Sequence, residues 1–90
     1  MKRKKKGVTP QTVEDVVAQA NEAETLLQSP VFMQACDLLE DKYINQWMSS
    51  AWENEEVRVR CYRFLHVLTD VKSELESMIN SGKIAKQSLN

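Results

Sequence analysis

The sequence predicts an all-α fold, on three observations. The ninety residues hold only two Gly and two Pro, and each Pro follows a Thr or Ser, the arrangement that opens a helix. β-Branched residues are not clustered into alternating runs. Over residues 57–79, Val57, Cys61, Phe64, Leu68, Val71, Leu75 and Met78 recur at alternating spacings of four and three. That is an a/d heptad seam, the period that keeps one apolar stripe turned toward a partner helix. The expected architecture is a three-helix bundle, or a long helical hairpin with an N-terminal helix, completed by self-association.

Residues 1–8 read as a disordered basic tail. Lys2, Arg3, Lys4, Lys5 and Lys6 carry five of the twelve basic residues, and nothing apolar accompanies them to offset the entropy of ordering. The remainder, 9–90, reads as a single helical domain. It has seven basic against thirteen acidic residues, a net charge of −6, so a cationic tail precedes an acidic body. A positively charged start resembles the first part of a secretory signal, but no apolar core follows it.

The first helix is expected over about 10–28, with Thr9 as N-cap and Pro10 in the first turn. Val13, Val16, Val17, Ala20, Ala23 and Leu27 make its apolar stripe, and the alanines permit close approach of another helix. Ser29-Pro30 repeats the punctuation, so a second helix over about 30–50 meets the first at a sharp corner. Its apolar face is broad: Phe32, Ala35, Cys36, Leu39, Tyr43 and Trp47, widened by Val31, Leu38, Ile44, Met48 and Trp52. A face that wide touches more than one neighbour. The third helix is expected over about 53–81. Ser50 with Glu53, or Asn54 alone, would cap its start, and Asn80-Ser81-Gly82 reads as its stop, with Gly82 just past the end.

No residue pattern points to catalysis, a cofactor or a metal. His66 is the only histidine, and Asp70 one turn on is its natural hydrogen-bond partner, not the second ligand of a closed site. There is no Gly-rich phosphate loop and no nucleophile elbow. Cys36 and Cys61 lack ligand spacing and read as small buried hydrophobes, although positions on packed helices can also come within bridging distance. The chain is therefore read as non-enzymatic.

Two kinds of partner remain. A protein partner, or a second copy of the chain, would be held through Tyr43, Trp47, Trp52, Phe64, Leu68, Val71 and Leu75, aromatic and aliphatic residues of the types that form interface centres. Nucleic acid would instead be held by Lys2, Arg3, Lys4, Lys5 and Lys6, with Arg58, Arg60 and Arg63 as a second cationic region and the tryptophans free to stack on bases. The acidic body weighs against the second reading. No apolar run approaches the roughly 20 residues that span a bilayer.

One resemblance covers about residues 26–89. Leu26-Leu27-x-Ser29-Pro30-x-Phe32, Tyr43-Ile44-x-x-Trp47, Arg60-x-x-Arg63 and Leu75-x-x-Met78-Ile79-x-x-Gly82-Lys83 resemble small all-helical proteins of tailed bacteriophages and prophages. The resemblance implies a bacterial cytoplasm or a virion, and a role in assembly, packaging or host takeover. It assigns no functional residues.

Overall fold

The computed structural model describes residues 11–89, and they form three helices with no strand among them: α1 (Val13–Leu27), α2 (Pro30–Ser49) and α3 (Glu55–Leu89). The all-α expectation holds. At about 1.5 Å per residue α3 spans roughly 52 Å, and the other two helices are laid along it. Tyr43 meets Phe64 and Gln46 meets Cys61, so α2 runs antiparallel along the N-terminal part of α3. Ala20 meets Gly82, and Leu26 shares a groove with Leu75 and Met78, so α1 runs antiparallel along the C-terminal part. α1 and α2 barely touch each other.

Local chemistry fixes the helix starts. Thr12 caps α1 in a reciprocal box, with Asp15 N–H donating to Thr12 Oγ1 at 3.1 Å and Thr12 N–H to the Asp15 carboxylate at 3.4 Å. The helix thus begins three residues later than the Thr9-Pro10 signal predicts; those two residues lie outside the described ones. Ser29 caps α2 as expected, its Oγ accepting from Phe32 N–H at 3.3 Å, with Pro30 in the first turn. The corner is short because Gln28 N–H and Ser29 N–H still donate to Glu24 and Leu26 carbonyls. Of the two caps read for α3, Asn54 is the one used: its Oδ1 accepts from Val57 N–H at 3.4 Å, while Ser50 closes α2 through the Trp47 carbonyl.

One expectation about packing is corrected. The stop at Gly82 is overridden, and α3 continues to Leu89. Gly82 is buried against α1, where a β-carbon would overlap Ala20 Cβ and lie 3.7 Å from the Val16 carbonyl oxygen. Its missing side chain serves helix contact, not termination. The first helix lies along the C-terminal part of α3 and packs on it more extensively than α2 does on the N-terminal part. Ala20 and Ala23 are buried, and small residues on both sides bring the two backbones together.

The consequence is a thin core. Ala20, Ala23, Cys36 and Cys61 are the buried apolar side chains among the described residues, and none is large. Fully burying a Leu- or Phe-sized side chain contributes about 1.5–3 kcal/mol, so this arrangement, whose large apolar residues such as Phe32, Leu65, Leu68 and Ile79 are only half-buried, gains part of the usual stabilisation. The radius of gyration is 17.7 Å, against about 12 Å for a compact domain of this length. The three helices form an elongated, open bundle built along α3.

Candidate interaction surface

The groups that could carry chemistry are dispersed. No cluster of three His, Cys, Asp or Glu side chains among the described residues could hold a metal ion. His66 is exposed and its ring lies edge-on to Tyr62, centroids 4.5 Å apart, so it turns to the preceding turn and not to Asp70. Cys36 and Cys61 are both free and buried. With Gln46 beside Cys61 on antiparallel helices, Cys36 lies about 15 Å further along α3 at 1.5 Å per residue. That separation prevents a bridge. Cys61 instead points its Sγ at Gln46 Oε1, 3.7 Å away.

The residues read as a partner surface divide into four sets. Tyr43 and Phe64 stack at 4.7 Å between centroids and 38° between planes, joining α2 to α3 while Phe64 stays 40% exposed. Leu68, at the centre of the seam, is half-buried. Val71 is exposed, and Leu75 lines a shallow open groove with Leu26, Met78, Ala23, Gln19 and Glu22. Trp47 is half exposed at the end of α2, and Trp52 is 82% exposed in the turn that follows it.

These pieces join into one strip. At 3.6 residues per turn, Phe64, Val67 and Val71 fall within about 60° of one another on α3, and all three are exposed. Leu75 and Met78 continue the line toward α1, where Leu26 meets it; Leu39 of α2 is similarly exposed. Val67 and Leu26 do not belong to the a/d seam, which is why the seam alone did not single them out. The signal was nonetheless present: Phe64, Val67, Val71, Glu74 and Met78 form a second line at spacings of three and four.

The cationic region is less free than its sequence implies. Arg58 folds back over the α2–α3 turn, its Nη1 donating to the carbonyls of Ala51, at 3.1 Å, and Trp52. It thereby holds the turn that Asn54 N–H closes on Ala51 O at 2.9 Å. Arg60 and Arg63 are exposed and line an open groove with Glu55, Glu56, Val59 and Phe64, a mixed rather than a basic surface. Lys2, Arg3, Lys4, Lys5 and Lys6 lie outside the described residues.

No described helix is long and apolar enough to cross a membrane. Comparisons with protein-family models, with curated proteins and with solved structures gave no match to this chain.

Proposed function

We propose that this chain is a non-enzymatic helical interaction and assembly protein, whose open apolar faces are covered by protein in its working state. The observation that carries this is the contrast between a core of four small side chains and a strip of exposed ones: Phe64 at 40%, Val71 at 44%, Val67 at 55%. Soluble monomers rarely leave contiguous apolar surface uncovered, and surface of that kind marks contact sites. In keeping with the phage resemblance, the assembly would belong to a virion, its packaging or host takeover, in a bacterial cytoplasm or in the particle itself.

A photo-crosslinking residue introduced separately at Val67 and at Trp52 in the producing cell tests this reading. Discrete protein adducts of defined mass are expected from at least one position. A chain that yields no protein adduct from either position contradicts it.

A further inference from the structure

We infer that the occupant of the α3 strip is the same strip of a second copy, with the two α3 helices antiparallel about a two-fold axis beside Val67. The inference rests on the interaction reading and names its partner.

Self-complementarity is the argument. Along one line of α3 stand Arg60, Phe64, Val67, Val71 and Glu74, with Arg63 and Asp70 on the flank; all are exposed. Arg60 and Glu74 are each seven residues from Val67, on opposite sides, and Arg63 and Asp70 are four and three residues away. A two-fold axis at Val67 therefore sets Arg60 of each copy near Glu74 of the other, and Arg63 near Asp70. Phe64 and Val71 exchange places in the same way, so the centre is apolar and both ends of the strip are paired by charge.

Other arrangements lack this match. A parallel pair would put Arg60 against Arg60 and Glu74 against Glu74, a like-charge juxtaposition that disfavours it. The basic-then-acidic order on this face thus selects the antiparallel orientation, while the apolar centre supplies the attraction. Exposed ion pairs add little affinity and are screened by salt, so their part is orientation. The contact is isologous and closes on itself, giving dimers and not fibres.

Light scattering on the full chain, with circular dichroism to confirm helicity, compares the wild type with three variants. Val67 and Arg63 are exposed, so their substitution leaves the monomer fold intact. Val67→Asp is expected to weaken dimerisation by more than about tenfold, and Arg63→Asp, which turns two attractive exposed contacts into repulsive ones, by a few-fold at low salt. The double variant Arg63→Asp with Asp70→Arg restores it, because each swapped pair again carries opposite charges. A monomeric wild type, a dimer indifferent to Val67→Asp, or a double variant no tighter than Arg63→Asp overturns the inference. A monomeric wild type that still gives protein adducts from Val67 in the cell overturns the second copy alone and leaves the interaction reading standing.

Discussion

Gly82 of α3 faces Ala20 of α1 with no room for a side chain between them. The pair fixes how closely the first helix sits on the third, and it makes a prediction that helix propensity alone would reverse. In an exposed helix Gly→Ala stabilises by about 1 kcal/mol. Here Gly82→Ala should destabilise by about 1–3 kcal/mol in urea unfolding, because the new methyl overlaps Ala20 Cβ and the helices must part. Adding Ala20→Gly should recover part of the loss. A Gly82→Ala chain more stable than the wild type would remove this contact from the account.

Neighbouring positions on α3 separate fold from surface. Leu68→Asp puts a charge into the half-buried seam that α1 and α2 share, and should cost about 2–4 kcal/mol, with lost helicity and a lower melting temperature. Val67→Asp, rotated by about 100° on the same helix, should leave monomer helicity unchanged. If Leu68→Asp melts like the wild type, the seam is assigned to the wrong face.

The cysteines offer a probe without mutation. Cys36 is 6% and Cys61 0% exposed, so neither thiol should react with a disulfide reagent until the chain opens. Mass analysis of the oxidised chain should find no Cys36–Cys61 bridge. Rapid labelling of both thiols under native conditions would contradict the packing of α2 on α3.

Nucleic-acid binding, if the tail confers any, should disappear with it. The body beyond residue 6 carries a net charge of −6, and Arg58 is occupied with backbone carbonyls. A chain lacking residues 1–6 is expected not to bind random duplex or single-stranded DNA at low salt. Retained, salt-sensitive binding by that truncated chain would shift the reading toward Arg60, Arg63 and the tryptophans.

Much of this architecture was legible in the sequence, and what was missed has a physical cause. Ser29-Pro30, Asn54 and the a/d seam mark local preferences that the fold keeps. Gly82 was misread because a glycine that ends a helix and one that admits a neighbouring helix look alike until the neighbour is known. Thr12 with Asp15 makes a complete reciprocal cap, and that pairing, not the Thr9-Pro10 signal, sets the start of α1 at Val13. For the surface, the residue types were readable but their exposure was not. Leu68 and Val71 share one seam, yet Leu68 is half-buried and Val71 exposed. That difference depends on where α1 and α2 happen to lie on α3.

Coverage of the open α3 strip by a second copy would set the state of this chain in solution. Sedimentation equilibrium of the full chain over a wide concentration range tests this most directly. It should reveal a reversible dimer, twice the 10.4 kDa chain mass, with the monomer gaining at low concentration. A single 10.4 kDa species at every concentration would contradict it.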